Sequence, residues 1–291
     1  MHAVGVVGAG MMGSGIAESV AVAGARVTVY EPERAPLTRS RQRVEASLAK
    51  AVNRGKHGRD AAAEALERIT FTTRVEDLLG SEIVIEAVTE DRSIKHEVFR
   101  QLDELLDEDV IIASNTSSIP ITELAQATAR PHMVLGLHFF SPVPVMGVVE
   151  IVPGYSTSPD VLLATEAFAR QIGKHAIRSK DRAGFLVNLM LIPYLSAAIR
   201  LYDAGYATRE DLDDGMSLGC GHPMGPLALC DFIGLDVIHG ICESLWDEYK
   251  REEYATPPLL RRMVAAGALG RKSGRGFYDY TPVAADALAS R

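Results

Sequence analysis

Residues 3–13 read Ala3-Val4-Gly5-Val6-Val7-Gly8-Ala9-Gly10-Met11-Met12-Gly13, and this stretch decides the fold. The short apolar run suits a buried strand, and residues 14–23 follow with helical periodicity. This is G-x-G-x-x-G in the context it needs, a strand, a tight turn and a helix. Gly8 permits the turn, Gly10 lets a pyrophosphate approach the backbone, and Gly13 lets helix and strand pack closely. The helix N-terminus adds free amide donors and the positive end of its dipole. A second strand, Arg26-Val27-Thr28-Val29-Tyr30, ends at Glu31, 18 residues after Gly13. A carboxylate there accepts from both ribose hydroxyls of an adenosine and repels a 2′-phosphate. The stretch therefore points to NAD rather than NADP, with Gly8, Gly10, Met11, Met12, Gly13 and Glu31 as cofactor contacts. Arg26 and Arg34 are nearby cations that pull the other way. The plainer alternative is a glycine-rich turn with an incidental glutamate.

The chain has 291 residues, enough for one large or two medium domains with a proper core. Its formal net charge of −8 argues against nucleic acid or an anionic membrane as partner. An anionic cofactor would then need local cations or oriented amides. Cys220, Cys230 and Cys242 lack C-x-x-C spacing, so neither a disulfide nor a metal site is expected. The N-terminal run has no basic leader, and none of the chain reads as a signal peptide. Residues 185–199 are apolar but contain Asn188, Pro193 and Ser196, short of the ~20 apolar residues of a membrane span. A cytoplasmic location is expected. The Ala-rich tail after Tyr280 is expected to fray.

Taken in order, residues 37–54 and 61–68 read as helices. Lys50, Arg54 and Lys56 form a small basic group, either a solvated helix end or a contact for the phosphates of a bulky anionic substrate. Residues 82–88 form a strand leading to Glu90, with an amphipathic helix over 94–106. Residues just past strand C-termini face the ligand crevice of an open α/β sheet. Glu90 and Lys95 are thus candidates for the nicotinamide-side ribose, a surface ion pair being the alternative. A strand over 110–113 ends at Ser114-Asn115-Thr116-Ser117-Ser118. These groups either cap a helix starting near Pro120 or donate to a substrate oxygen.

His138 then ends the apolar run Val134-Leu135-Gly136-Leu137, and Glu150 sits inside Val148-Val149-Glu150-Ile151. Histidine is the usual proton-transfer group near neutral pH, and a buried carboxylate fixes its tautomer and stabilises its charged form. Taken alone, each could be an ordinary structural residue. A helix over 159–171 and a short strand over 175–177 complete this region. After a hinge-like Asp181-Arg182-Ala183-Gly184 only helical patterns remain, over 185–202, 209–218, 226–232, 235–249 and 257–266. Asn188 falls one turn into the first of these, among apolar neighbours, where a buried amide needs partners or serves a ligand. The expected architecture is an α/β Rossmann-type doubly wound sheet over residues 1–182, followed by an all-helical domain over 183–291.

Several separated motifs resemble the 3-hydroxyacyl-CoA dehydrogenase family, most closely its short 3-hydroxybutyryl-CoA members. They are Gly8-Ala9-Gly10-Met11-Met12-Gly13, Ser114-Asn115-Thr116-Ser117-Ser118, His138-Phe139-Phe140-Ser141-Pro142, Asp181-Arg182-Ala183-Gly184-Phe185-Leu186-Val187-Asn188, His222-Pro223-Met224-Gly225-Pro226 and Lys272-Ser273-Gly274-Arg275-Gly276-Phe277-Tyr278. The resemblance implies a catalytic tetrad of His138 as base, Glu150 as its partner, and Ser117 and Asn188 on the substrate oxygens. It places Glu31, Glu90, Lys95 and Asn115 on the cofactor side, needs no metal, and implies a homodimer formed through the helical domain. The expected substrate is an acyl-CoA thioester, with Lys50 and Arg54 towards its phosphates. Ser141 stands where asparagine is typical, and Gly147 where a bulkier or basic residue is frequent.

Three rivals remain at this level. One is a related free-acid dehydrogenase, which would need a lysine four residues before Asn188, where Gly184 stands. Another keeps the chemistry but takes its acyl group from a carrier protein. The third is a non-catalytic NAD-binding protein.

Overall fold

The structure is a computed structural model describing residues 1–280. The Ala-rich tail after Tyr280 lies outside the described residues. The chain divides into two compact units, Met1–Phe185 and Leu186–Arg291.

In the first unit, β1 (Ala3–Val7) leads into α1 (Met11–Val22), then β2 (Arg26–Tyr30), α2 (Arg34–Asn53), α3 (Arg59–Glu67) and β3 (Ile69–Thr72). Next come β4 (Ile83–Glu86), α4 (Arg92–Leu105), β5 (Ile111–Ser114), α5 (Ile121–Ala125), β6 (Val134–Phe139), β7 (Val148–Pro153), α6 (Pro159–Gln171) and β8 (His175–Arg178). The strands form one sheet of order β3-β2-β1-β4-β5-β6-β7-β8. Every pairing is parallel except β6 with β7. Strand order reverses direction between β1 and β4, and that switch point opens the crevice where ligands of such sheets bind.

Successive side chains of a strand point to opposite faces, so each buried strand serves two cores. Val4, Val6, Ile83, Ile85, Ile111, Ala113, Leu135, Leu137, Val149 and Ile151 pack on one side with α1, α2 and α6. Val84, Ile112, Val134 and Val152 pack on the other with Phe99 and Leu102 of α4 and Ile121 and Leu124 of α5. The second face turns polar towards the strand C-termini, at Glu86, Ser114 and His138, with Glu150 beside His138 on β7. That change of character positions the site.

The second unit is helical: α7 (Val187–Asp203), α8 (Arg209–Gly219), α9 (Pro226–Ile233), α10 (Leu235–Tyr249) and α11 (Pro258–Ala265). Two buried aspartates hold its glycine-containing motifs. Asp213 accepts from the amides of Leu227 (2.7 Å) and Ala228 (2.9 Å), capping α9, and from the Tyr278 hydroxyl at 2.8 Å. Asp231 accepts from the amides of Phe277 and Tyr278, each at 2.9 Å. A methyl group on Gly225 or Gly276 would overlap these aspartates, which accounts for both glycines.

Differences from the sequence reading are local. β3 was not foreseen; its four residues Ile69-Thr70-Phe71-Thr72 are too few to show a period. The first helix of the second unit starts at Val187 because Gly184 and Phe185 both have positive φ, which a helix excludes. Asn188 is therefore its second residue rather than one turn inside it.

One buried charge cluster supports the first unit. Glu18 of α1 is 4% exposed and accepts from Ser47 of α2 at 2.8 Å. Burial pushes its carboxyl up to about 7, against the lowering pull of Ser47 and of the Lys174 charge. Lys174 is itself buried and donates to the carbonyls of Val143 (2.6 Å) and Met146 (2.8 Å), tying down the β6–β7 connection. A carboxyl whose pKa rises on folding contributes stability that is complete below its unfolded value, here 4.5, and is lost as pH rises through about 7. Between roughly pH 5 and pH 8, Glu18→Gln is therefore expected to gain about 3 kcal/mol relative to the parent. Urea unfolding of both proteins at each pH checks this; a constant difference would contradict it.

Candidate functional site

The polar ends of β4, β5, β6 and β7 form two hydrogen-bonded groups. In the antiparallel register of β6 and β7, His138 is the direct partner of Glu150, and directly opposed residues bring their side chains together. The imidazole Nδ1 donates to Glu150 Oε2 at 2.7 Å. His138 is 6% exposed and Glu150 fully buried. The rings of Phe140 and Phe185 lie 4.6 and 5.5 Å from the imidazole, centroid to centroid. A carboxylate only accepts, so Nδ1 carries the hydrogen, and in the neutral imidazole Nε2 then keeps its lone pair. The arrangement can take a proton at Nε2 and stabilise the charge that results.

At the ends of β4 and β5 the register pairs Glu86 with Ser114. Glu86, fully buried, accepts from the Ser114 hydroxyl (2.6 Å), the Val88 amide (2.7 Å) and the Lys95 ammonium (2.6 Å). Lys95, 1% exposed, also lies 3.3 Å from Glu90. Glu90 in turn accepts from the Thr116 hydroxyl at 2.6 Å, the Ser117 amide at 3.1 Å and the Ser118 hydroxyl at 2.9 Å. Burial would raise its pKa, but the Lys95 charge and these donors overcome it and hold the carboxyl below its usual range. The loop is thus fixed on its carboxylate, and Ser117 is held through its amide, leaving its hydroxyl uncommitted. Asn115 receives the Phe139 amide on Oδ1 at 2.9 Å and donates its backbone N–H to the Glu86 carbonyl, joining this loop to the strand of His138.

Lys95 is accordingly not the surface ion pair that the sequence left open as the alternative to a cofactor contact. It is a buried partner of Glu86, a residue the sequence reading passed over. The signal was present, since a carboxylate stood in the apolar run Ile83-Val84-Ile85-Glu86-Ala87-Val88. The hydroxyl cluster does not cap α5 either: Asp181 does, accepting from Ile121 N (2.6 Å), Thr122 N (2.7 Å) and the Thr122 hydroxyl (2.6 Å).

At the glycine turn, Gly8 has φ +106°, and a methyl group there would lie 2.6 Å from the Ala87 carbonyl oxygen. A methyl on Gly13 would overlap the Gly8 carbonyl, while the position above Gly10 is open. α1 has no side-chain cap and no acidic residue in its first turn. Its leading amides thus have no side-chain acceptor and lie beside the open backbone at Gly10 and beside Met11, which is 69% exposed; Met12 follows, partly buried. Glu31 Oε2 accepts from the Ala9 amide at 3.2 Å, fixing the carboxylate beside the turn. Donors without acceptors, an open backbone and an adjacent carboxylate are the set a dinucleotide requires, so the residues present fit NAD.

Lys50, Arg54 and Lys56 are exposed around the C-terminal end of α2, where their charge complements the helix dipole. Asn188, 7% exposed, belongs to the second unit and stands in the first turn of α7. No group of His, Cys, Asp and Glu suited to a metal occurs among the described residues, and the three cysteines are free. No helix among the described residues is long and apolar enough to cross a membrane.

Removing one member of a buried ion pair strands the other. Lys95→Met is expected to cost about 3–5 kcal/mol, and adding Glu86→Gln to recover part of that loss. Chemical denaturation of the single and double variants measures both, and purely additive costs would contradict the pairing.

Comparison with known proteins bears on the whole chain. The family model for the 3-hydroxyacyl-CoA dehydrogenase NAD binding domain matches residues 3–182, and that for the C-terminal domain of the same family matches 184–280. A 3-hydroxybutyryl-CoA dehydrogenase of Mycobacterium tuberculosis is 52% identical over 279 residues, 95% of this chain and 98% of the relative. The crystal structure of M. tuberculosis FadB2 superposes with a TM-score of 0.95 at 51% identity, covering 96% of this chain and 99% of that one. The (S)-3-hydroxybutyryl-CoA dehydrogenase PaaH1 of Ralstonia eutropha gives 0.91 at 44% identity, covering 97% and 99%. The protein thus belongs to the 3-hydroxyacyl-CoA dehydrogenase family and carries its NAD-binding domain.

Proposed function

We propose that the protein catalyses the reversible, NAD-dependent oxidation of a (3S)-3-hydroxyacyl-CoA, with 3-hydroxybutyryl-CoA as the expected substrate, to the 3-oxoacyl-CoA. The observation that carries this reading is the buried His138–Glu150 pair, in which Nδ1 is the imidazole nitrogen that the carboxylate engages. NAD, when bound, supplies the hydride acceptor. His138 takes the substrate hydroxyl proton on Nε2, and Glu150 stabilises the imidazolium through Nδ1. Ser117 and Asn188 hold the substrate oxygens, which orients C3 for hydride loss. Glu31 receives the adenosine ribose, and Glu90, Lys95 and Asn115 form the nicotinamide side. Lys50 and Arg54 meet the phosphates of coenzyme A. Residues 1–182 act as the NAD-binding domain and 183–291 as the substrate and dimerisation domain of a cytoplasmic homodimer.

The test follows absorbance of NADH with acetoacetyl-CoA, and of NADPH in parallel. Turnover with NADH and little with NADPH is expected. Activity with NADPH alone would overturn the role of Glu31, and no turnover with either would overturn the thioester substrate. A positioned base contributes ~10²–10⁴-fold. His138→Ala is therefore expected to lose at least about 10²-fold in kcat while still binding NADH; near-parent turnover would overturn the assignment of the base.

A further inference from the structure

The glycine turn is held by a cation that none of its motifs contains. Arg43 projects from α2, half-buried, and its Nη1 donates to the Ala9 carbonyl at 3.1 Å and to Ser14 Oγ at 3.2 Å. Ser14 Oγ donates to the Gly10 carbonyl at 2.6 Å and meets Ser40 Oγ at 2.8 Å, so the guanidinium joins a network built into the start of α1. Ala9 is gripped from both sides, its amide by Glu31 and its carbonyl by Arg43.

The acceptors of Arg43 are both neutral. Among the described residues it has no carboxylate in ion-pair range, whereas Arg41, two residues earlier on the same helix, pairs with Glu45 at 2.9 Å. A guanidinium carries five N–H donors, and the two bonds formed here both leave from Nη1. The donors of Nε and Nη2 are uncommitted. They are fixed beside the uncapped first turn of α1, in a protein of net charge −8. A half-buried guanidinium without a carboxylate partner in that place suits two oxygens of an anion such as a phosphate.

We infer that Arg43 is a cofactor-binding residue that meets the diphosphate of the dinucleotide. This rests on the NAD reading of the glycine turn and extends it to a helix outside the motif. Arg43 offsets both the net negative charge and the Glu31 carboxylate at the point where the cofactor is most anionic.

Equilibrium binding of NADH, ADP and adenosine to the parent, Arg43→Met and Arg43→Lys, at low and high salt, tests the inference without any turnover. In Arg43→Met the Kd for NADH and for ADP is expected to rise about tenfold, adenosine affinity to stay unchanged, and Arg43→Lys to recover part of the loss. The salt dependence of ADP binding should be weaker in Arg43→Met than in the parent. Unchanged NADH and ADP affinity, or equal weakening of adenosine, would reduce Arg43 to a tie between α1 and α2 and overturn the inference. If Arg43→Met fails to fold by circular dichroism, Arg43→Lys and the parent decide: salt-independent ADP binding by the parent would contradict a phosphate contact. A parent that binds no NADH would overturn the cofactor reading itself.

Discussion

A buried carboxylate must be met by donors or it takes up a proton. Glu150 is fully buried in β7, and the imidazole of His138 meets it at 2.7 Å. That one contact sets much else. It requires β6 and β7 to be antiparallel neighbours in a register that opposes these two residues. It fixes which imidazole nitrogen is free. The rings of Phe140 and Phe185 pack against the imidazole.

The same constraint recurs one pair of strands away. Glu86 and Ser114 are opposed in β4 and β5, and the Glu86 charge is answered by Lys95 reaching in from α4. Neither arrangement is an efficient way to stabilise a fold, since apolar pairs of similar volume would often serve as well or better. What they provide is rigidity at the strand C-termini. Glu86 anchors Lys95, Lys95 lies beside Glu90, and Glu90 gathers Thr116, Ser117 and Ser118 around one carboxylate. Asn115 then ties this loop to Phe139, the residue after His138. Groups proposed to hold the substrate oxygen and to move the proton are thereby joined through a continuous hydrogen-bonded frame.

The fold was legible because its signals are local. A glycine turn between a strand and a helix, alternating or continuous apolar runs and a late change to helical periodicity need only a short window of sequence. His138 and Glu150 were legible as candidates because each is a polar residue in an apolar run, but their contact depends on strand register, which spacing alone does not give. Glu86 carries the same signal but was not singled out, so the buried partner of Lys95 was not expected. Asp181 and Arg43 had no local signal at all. Each acts on a segment far away in sequence, Asp181 on α5 and Arg43 on the glycine turn, and only tertiary packing brings them there.

The proposed proton transfer depends on Glu150 holding the neutral His138 with Nδ1 protonated and Nε2 bare. Nitrogen-15 NMR of the histidine rings reads this directly in the enzyme at alkaline pH, with His138 assigned by its absence from the His138→Gln spectrum. His138 is expected to show a protonated Nδ1 and an unprotonated Nε2. The opposite tautomer, with hydrogen on Nε2, would contradict it, because the nitrogen meant to receive the substrate proton would already be occupied.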